Sequence, residues 1–338
     1  RCSWREMRLL VTGGAGYIGS HAVERLCDEG HHVVVIDNLM SGHRQAVDQR
    51  AAFEEFDLKD QPEVERVLRD HGVEAVFHFA ALSIVGDSMS QPLRYWDNNV
   101  SGAISLLAAM DKCGVEQLIF SSTCSTYGEP KQMPISEGAP QLPINTYGQT
   151  KLAIERMIAD YGCGNRSFRY GLLRYFNVAG CGIKGRLGED HRPETHLLPI
   201  IIETALGQRP SVSIYGTDYD TPDGTCLRDY LHVDDLVDAH VKALAALPET
   251  PHLVVNLGAG RALSVRELID AVQRVTGVDF PVIEAPRRAG DVPVLCCDTS
   301  YAKAVLGWQP IHSDLEHLVQ SAWRWRQRHP FGYDDSVS

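Results

Sequence analysis

A glycine-rich turn between a strand-like and a helix-like segment constrains the fold of this chain more than any other feature. An apolar run, Arg-Leu-Leu-Val-Thr at 8–12, leads into Gly13, Gly16 and Gly19, and a helical pattern follows to Gly30. The β-branched run His-Val-Val-Val-Ile-Asp at 32–37 then predicts a second strand. In a strand–turn–helix–strand unit, the glycines make a tight turn, let the backbone approach a pyrophosphate and pack the helix on the sheet. The pattern predicts a dinucleotide site.

The second strand closes on a carboxylate, Asp37. A carboxylate at this place accepts hydrogen bonds from an adenosine ribose and repels a 2′-phosphate. The sequence therefore favours NAD over NADP as the cofactor.

The alternation of strands and helices continues beyond this unit. Strands are predicted at 52–57, 75–80, 117–122 and 170–176, and helices at 62–70 and 100–113. Such alternation indicates an α/β fold with a doubly wound parallel sheet (Rossmann), in which ligands bind beyond the carboxyl ends of the strands. The glycine turn and the following positions all fall at those ends: Asp37, Asp57, Phe79, Ala80, Ala81, Ser122, Thr123 and Asn177.

The composition and the pattern of predicted elements change after Asn177, where a glycine-rich, basic stretch is followed by shorter elements. We predict an NAD-binding domain over 7–177 and a smaller C-terminal α/β substrate domain over 178–333, parts of which return to the first domain. The second part carries predicted strands at 212–215, 228–233 and 254–257, and predicted helices at 265–275 and 315–325. Residues 1–6 and 334–338 are predicted to be tails.

Composition excludes several classes of partner. The net charge of −12 lacks the basic field that a non-specific nucleic-acid or anionic-membrane binder needs, so we expect neither partner. The 338 residues, 44% of them hydrophobic, suffice for a large core, and the polar start predicts neither a signal peptide nor a membrane anchor. The nine cysteines form no Cys-x-x-Cys pair, which predicts reduced thiols, no metal site and a cytoplasmic location.

A candidate catalytic pair lies at Tyr147 and Lys151, four residues apart at the start of a helical run, and therefore on one helix face. A tyrosine that acts as a base near neutral pH needs its phenolate stabilised by about three pKa units, or roughly 4 kcal/mol. A nearby lysine can supply much of this. The same spacing at Tyr127 contains Gly128 and Pro130, which would break a helix, so that pair need not share a face.

Eight motifs together resemble the extended short-chain dehydrogenase/reductase family, over nearly the whole chain from Met7 to about Tyr333. Within it, the chain is similar to the members that invert a hydroxyl of a UDP-hexose with tightly held NAD, many of them homodimers. The motifs occupy residues 12–19, 37–38, 78–80, 97–100, 120–122, 147–151, 173–177 and, most specifically, 215–236.

The resemblance implies the residues that hold each ligand. Those expected to hold NAD are Gly13, Gly16, Tyr17, Ile18, Gly19, Asp37, Asn38, Asp57, Leu58, Phe79, Ala80, Ala81, Asn98, Tyr147, Lys151 and Phe176. Those expected to hold the UDP-hexose are Thr123, Asn177, His196, Leu197, Tyr215, Arg228, Arg288, Asp291 and Leu295. Arginine suits a diphosphate on physical grounds also, because its planar fork of donors matches phosphate oxygens.

Four positions depart from the pattern of some relatives. Thr123 replaces the usual serine and keeps the hydroxyl, His196 replaces an asparagine, and Ser83 replaces a lysine near the cofactor. Leu295 stands where a bulky tyrosine rejects N-acetylated sugars and smaller residues admit them. Acceptance of UDP-GlcNAc and UDP-GalNAc therefore stays open.

The resemblance implies interconversion of UDP-galactose and UDP-glucose, with Tyr147, Lys151 and Thr123 as catalytic residues. Alternatives are a 4-epimerase of UDP-glucuronate or a UDP-pentose, a nucleotide-sugar 4,6-dehydratase, a simple ketone reductase and a non-catalytic NAD-binding sensor. The dehydratase is disfavoured because Cys124 and Ser125 follow Thr123, where that class usually has an Asp-Glu pair. The sensor is disfavoured because Tyr147 and Lys151 are both present.

Overall fold

The computed structural model of the chain describes residues 5–288 and 290–333. The predicted tail 334–338 and part of the tail 1–6 lie outside this range. The strands are β1 (Arg8–Thr12), β2 (His32–Asp37), β3 (Ala52–Glu55), β4 (Ala75–His78), β5 (Gln117–Thr123), β6 (Arg169–Tyr175), β7 (Asn177–Ala179), β8 (Val212–Tyr215), β9 (Leu227–His232), β10 (His252–Leu257), β11 (Ala262–Ser264), β12 (Val282–Ala285) and β13 (Val294–Leu295).

The helices are α1 (Tyr17–Asp28), α2 (Gln61–Asp70), α3 (Val85–Ser90), α4 (Pro92–Tyr95), α5 (Gly102–Cys113), α6 (Thr146–Gly164), α7 (Leu197–Ala205), α8 (Val233–Ala246), α9 (Val265–Thr276), α10 (Ser300–Leu306) and α11 (Leu315–Arg328). A π-helix, Trp96–Ser101, precedes α5. Within the described ranges, we find no helix with the combination of length and apolar character that crossing a membrane requires.

The described chain divides into two compact units. The first contains the residues up to Gly128, Pro140–Arg174 and Val237–Val255, and the second contains Glu129–Ala139, Tyr175–Leu236 and the residues from Asn256 onward.

The first unit is built on a seven-stranded sheet in the order β10-β6-β5-β4-β1-β2-β3. β1 pairs in parallel with both β2 and β4, which places Val11 beside Val35 on one side and Phe77 on the other. The central positions of β2 are fully buried β-branched residues, as in strands covered by helices on both faces. Helices α2 and α5 pack together in its core. The predicted doubly wound parallel sheet is confirmed.

The order in which strands are added to this sheet reverses between β1 and β4. From β1 the strands run outward to β2 and β3, and after β3 the chain returns to β4 on the other side of β1. Ligands of doubly wound sheets bind at such a switch point, beyond the carboxyl ends of the strands. The fold therefore puts the glycine turn after β1 at the expected ligand position.

The second unit has shorter sheets. β9 pairs with β11, β13 and β7, and β8 pairs in parallel with β12. Its core includes residues of α7, α9 and α11. Helix α9 begins with a capping box, in which Ser264 accepts from the Glu267 N–H and Glu267 accepts from the Ser264 N–H. Gly277 ends α9 in the left-handed conformation.

Several element boundaries differ from the sequence prediction. The predicted helix at 100–113 begins as an α-helix only at Gly102, because the residues before it form the π-helix. The predicted strand at 52–57 ends at Glu55, because the Asp57 side chain accepts the Lys59 N–H and turns the backbone. The strand predicted at 254–257 is part of β10, which neighbours β6 at the edge of the seven-stranded sheet.

Candidate active site

The turn after β1 is closed by direct backbone contact between glycines. Gly13 has a φ of 72°, a conformation that favours glycine, and its N–H donates to the Ile36 carbonyl at 2.8 Å. A Cβ on Gly19 would lie 2.1 Å from the Gly13 carbonyl oxygen. Gly16 is the N-cap residue of α1 and has no side chain, so no N-cap side chain competes with an anion at the start of this helix. This turn has the shape and polarity of a phosphate cradle.

Asp37 ties the end of β2 to the glycine turn. Its carboxylate accepts the Ala15 N–H at 2.9 Å and the Leu39 N–H at 2.8 Å. Burial raises the pKa of Asp37, and these backbone hydrogen bonds oppose the rise. A carboxylate has about four lone-pair positions, so this one retains acceptor capacity for a ribose hydroxyl.

The other residues predicted to hold the dinucleotide follow the same edge of the sheet. Phe79 follows β4, and a Cβ on Gly13 would lie 2.6 Å from the Ala80 nitrogen, which shows how closely these two loops approach. Asn98 lies in the π-helix and donates to Asn99. The remaining positions lie in the glycine turn, in the first turn of α1, or in the loops that follow β2, β3 and β4. In chain order they are Gly16, Tyr17, Ile18, Asn38, Asp57, Leu58 and Ala81.

Tyr147 and Lys151 lie in the first turns of α6, as predicted for a pair on one helix face. Asn145 caps this helix by accepting the Gly148 N–H at 2.7 Å. The Lys151 ammonium lies 5.9 Å from the centre of the Tyr147 ring and donates to the Ser121 carbonyl at 2.7 Å. Burial lowers the pKa of Lys151 to about 7, while the charge of Glu155 acts in the opposite direction.

Thr123 is the last residue of β5, and its hydroxyl accepts the Ser125 N–H at 3.1 Å. The preceding residue, Ser122, donates to the buried carboxylate of Glu155. Arg174 donates to both oxygens of Glu155 with its guanidinium, 2.6 Å at the shortest. These contacts join β5, β6 and α6 behind the candidate catalytic residues.

Glu155 and Arg174 were missed by the sequence interpretation. Glu155 lies four residues after Lys151, on the face of α6 that reaches β5, and this spacing was the available signal. Asn99 was also missed: its side-chain amide donates to the Leu82 carbonyl at 3.0 Å and accepts the Leu82 N–H at 2.8 Å. It thereby fixes the loop after β4.

The second unit brings together five of the residues predicted to hold a UDP-hexose. Arg228 on β9 lies 3.4 Å from the Asp291 carboxylate and donates to the Val292 carbonyl. Leu295 on β13 pairs with Arg228 in the strand register. The Arg288 guanidinium lies 3.8 Å from the centre of the Tyr215 ring. An arginine and an aromatic ring in contact form a surface suited to a planar base or a phosphate.

The remaining predicted residues of this unit lie at or next to the starts of elements. Phe176 donates its N–H to the Leu257 carbonyl, and Asn177 begins β7. His196 caps α7, which begins at Leu197, and the His196 Nδ1 lies 2.5 Å from a Glu189 oxygen. Glu189 was not predicted as a site residue.

The fold of the first unit, its glycine turn and its tyrosine–lysine pair define a dinucleotide-binding protein of the dehydrogenase/reductase class. The model of the NAD dependent epimerase/dehydratase family matches residues 9–258. This chain belongs to the NAD dependent epimerase/dehydratase family.

Individual relatives are similar over almost their full length. A UDP-glucose 4-epimerase of Lactobacillus helveticus is 48% identical over 97% of this chain and 100% of its own. A UDP-glucose 4-epimerase of Brucella ovis, solved in complex with NAD, has a TM-score of 0.91 and 46% identity, covering 94% of this chain and 97% of its own. A UDP-glucose 4-epimerase of Bifidobacterium longum, solved with NAD⁺ and UDP, has a TM-score of 0.91 and 36% identity, covering 96% and 100%.

Proposed function

We propose that this chain is a UDP-glucose 4-epimerase, which interconverts UDP-galactose and UDP-glucose with bound NAD. The observation that carries the proposal is the pair of Tyr147 and the buried Lys151 on α6, in a chain similar to UDP-glucose 4-epimerases over 97% of its length. Because UDP-galactose is one of the two proposed substrates, we propose a role in galactose metabolism. We propose a cytoplasmic location for it.

The glycine turn fits NAD by its geometry. The short distance between Gly13 and Gly19 leaves no room for a side chain at the place where a pyrophosphate needs backbone contact. The uncapped start of α1 supplies N–H donors and the positive end of the helix dipole. NAD bound there would supply reversible hydride transfer, the chemistry that oxidation of C4 to a ketone and its reduction from the opposite face require.

The reaction needs such chemistry because the C4–H bond of a hexose is not acidic. Direct proton removal from carbon is therefore unattractive, and oxidation followed by reduction inverts the centre with no net redox change. Tyr147 takes the proton of the C4 hydroxyl during oxidation and returns it during reduction. Lys151 stabilises the phenolate by its charge. Thr123 hydrogen-bonds the same sugar oxygen.

The nucleotide must stay bound while the sugar turns. We assign the diphosphate to Arg228 and Arg288, because a guanidinium forms paired, charge-assisted hydrogen bonds with phosphate oxygens. The binding energy of the nucleotide can then offset the cost of orienting C4, which lies away from the nucleotide, for reaction. The roles of Asn177, His196, Leu197, Tyr215, Asp291 and Leu295 as further UDP-hexose contacts are part of the same proposal.

We also propose a homodimer. The segment from α3 to α5 exposes several large apolar side chains, with Leu93 81% exposed, Met89 58% and Ile104 51%. The family resemblance implies a homodimer, and we propose that a second copy of the chain covers these side chains. Other UDP-sugar 4-epimerases use the same chemistry, so UDP-glucuronate and UDP-pentoses are the alternative substrates.

The test is conversion without added cofactor. Purified chain is incubated with UDP-galactose alone, and UDP-glucose is measured over time. We expect conversion to proceed to equilibrium, and we expect Tyr147→Phe to lower turnover by at least about a hundredfold, the range for removal of a general base. UDP binding by the variant is the control. Formation of a dehydrated 4-keto sugar, or no change in the substrate, would contradict the proposal.

A further inference from the structure

The segment that leads into α7 gathers two carboxylates and two imidazoles at one point of the second unit. The residues are Glu189, His191, Glu194 and His196, and their ligand atoms all lie within 4.8 Å of one another. The two imidazole rings are close, with centres 5.1 Å apart and planes nearly perpendicular. The sequence analysis predicted no metal site because the chain has no Cys-x-x-Cys pair. This cluster contains no cysteine, so that argument does not apply to it.

The carboxylates of this cluster are buried and directed at the imidazoles. The side chains of Glu189 and Glu194 are 4% and 3% exposed. A Glu189 oxygen lies 2.5 Å from the His196 Nδ1 and 3.4 Å from the His191 Nδ1. The two Nδ1 atoms therefore converge on one carboxylate.

Glu194 supplies a second, independent observation. Its Oε1 accepts the N–H groups of Thr195 and His196, both at 2.8 Å, and these bonds fix the orientation of the carboxylate. Its Oε2 is buried and has no hydrogen-bond donor among residues 5–288 and 290–333. This oxygen lies 3.6 Å from the His191 Nδ1, on the inner side of the cluster. A buried carboxylate oxygen without a donor is costly unless a cation contacts it.

The donor set selects the kind of cation. Mg²⁺ and Ca²⁺ prefer sites made of oxygen atoms, whereas imidazole nitrogen combined with carboxylate oxygen suits Zn²⁺. A tetrahedral Zn²⁺ site with bonds of about 2.0–2.2 Å needs ligand atoms roughly 3.4 Å apart. The separations from Nδ1 of His191 to the two carboxylates, 3.4 Å and 3.6 Å, match this spacing. The 2.5 Å between the His196 Nδ1 and a Glu189 oxygen is a hydrogen-bond distance, so this pair must move apart to bind one ion.

We propose that Glu189, His191, Glu194 and His196 form a Zn²⁺-binding site. Zn²⁺ at this site neutralises the two buried carboxylates and links the start of α7 to the segment before it. Because a metal on Nδ1 of His196 leaves its Nε2 as an N–H donor, the ion also fixes the tautomer of that ring. The proposal does not depend on the proposed reaction, since metal binding is measured without substrate.

A different arrangement of charge competes with this proposal. If both histidines are protonated, they pair with the carboxylates as cations and no metal is needed. The carboxylates do favour this form: although burial acts in the opposite direction, the nearby Glu189 and Glu194 carboxylates raise the pKa of His191 to about 10. The two arrangements predict opposite results when Zn²⁺ is offered at neutral pH.

The experiment is a titration of the purified, chelator-treated protein with Zn²⁺ alone, followed by isothermal calorimetry and metal analysis. We expect one Zn²⁺ per chain, and at least about tenfold weaker binding in His191→Ala and in Glu194→Gln, because each removes a ligand. His32→Ala is the matched control: its side chain is 73% exposed and lies outside the cluster, so Zn²⁺ binding should equal that of the unchanged chain. Excess Mg²⁺ should not displace the ion.

Two outcomes overturn the proposal: no Zn²⁺ binding by the unchanged protein, or equal binding in the cluster variants and the His32 control. Should the cluster variants fail to fold, X-ray absorption of the Zn²⁺-loaded unchanged protein decides. A shell of nitrogen and oxygen at about 2.0–2.2 Å with imidazole scattering supports the site, and a shell without imidazole overturns it. The dinucleotide retained by the protein is measured in the same samples. This measurement tests the cofactor of the proposed function independently of Zn²⁺ binding, so failure of one proposal can be told from failure of the other.

Discussion

Lys151 shows how the fold changes the acid–base behaviour of one residue. Its ammonium is enclosed by the Ser121 carbonyl, at 2.7 Å, and the ring of Phe120, whose centre is 4.8 Å away. Burial in this place lowers the pKa of Lys151 to about 7 from 10.5. Both charge states of this lysine are therefore accessible near neutral pH.

The lowered pKa of Lys151 predicts a pH effect on stability. Between pH 7 and about 10 the unfolded chain holds a proton on this lysine that the folded chain has released, so Lys151 makes the free energy of unfolding rise with pH. We expect Lys151→Met to remove that rise. Urea unfolding of cofactor-free protein from pH 6.5 to 9.5 measures it, with the exposed Lys303→Met as control. A difference between unchanged chain and Lys151→Met that is flat or falls with pH contradicts the prediction.

Leu295 is the residue at which we expect sugar selectivity to be decided. It lies half-buried on β13, paired in register with Arg228 of β9. We expect Leu295→Tyr to lower turnover of UDP-GlcNAc relative to UDP-glucose by about tenfold or more, and Leu295→Ser to raise it, because a few side-chain carbons alter pocket fit by 1–3 kcal/mol. Parallel assays on both substrates measure the ratio. An unchanged ratio in both variants would remove Leu295 from this role.

At the scale of elements, the turn between β1 and α1 depends on the absence of a side chain at Gly19. We expect Gly19→Ala to reduce the NAD retained on purification by at least about tenfold, because its Cβ would lie 2.1 Å from the Gly13 carbonyl oxygen and force the cradle open. The control is Gly86→Ala in α3, where a Cβ meets no atom within 4 Å. Absorbance and mass analysis of released dinucleotide measure the content. Full retention in Gly19→Ala would contradict the role of this turn.

The elements that the sequence predicted best are those with a strong local signal. β2 is a run of buried β-branched residues, α9 carries a capping box, and α6 starts at an asparagine cap. Local pattern did not predict the π-helix at Trp96–Ser101, in which Asn99 makes a hydrogen bond to Leu82, 17 residues earlier in the chain. A strand as short as β13, which has two residues, is too short to show an alternating pattern of apolar and polar residues in the sequence.

The candidate site likewise contains residues that the sequence could predict and contacts that it could not. The glycine turn, Asp37 and the Tyr147–Lys151 pair follow from spacing along the chain, because each acts within one or two adjacent elements. The contact between Glu155 and Arg174 joins a helix to a strand, and the cluster before α7 needs a folded loop to converge. Such contacts are set by tertiary packing, which a single sequence does not reveal.

At the scale of the whole molecule, the apolar surface on α3–α5 predicts self-association. We expect the chain to elute as a dimer, and Leu93→Asp to shift it toward monomer, because a buried, unpaired carboxylate would oppose contact with a second copy. Ile311→Asp is the matched control, since Ile311 is also exposed, at 76%, but lies in the second unit. Light scattering after size-exclusion chromatography gives the mass. A monomeric unchanged chain, or a Leu93→Asp variant that stays dimeric, would contradict this interface.

The division into two units also limits what local sequence can predict. Each unit takes in three separated stretches of chain, so β10 is added to the first sheet long after the chain has entered the second unit. The change of composition near Asn177 led us to predict one boundary there, but no comparable change precedes Val237, where the first unit resumes.

The central claim is that hydrogen leaves C4 of the sugar and comes back to the same carbon on the other face. The most direct measurement uses UDP-galactose carrying deuterium at C4, incubated with the purified chain in ordinary water without added NAD. We expect UDP-glucose that retains the deuterium at C4, as measured by mass spectrometry and NMR. Product that has exchanged this deuterium for solvent hydrogen would contradict it, because the hydrogen would then have left as a proton.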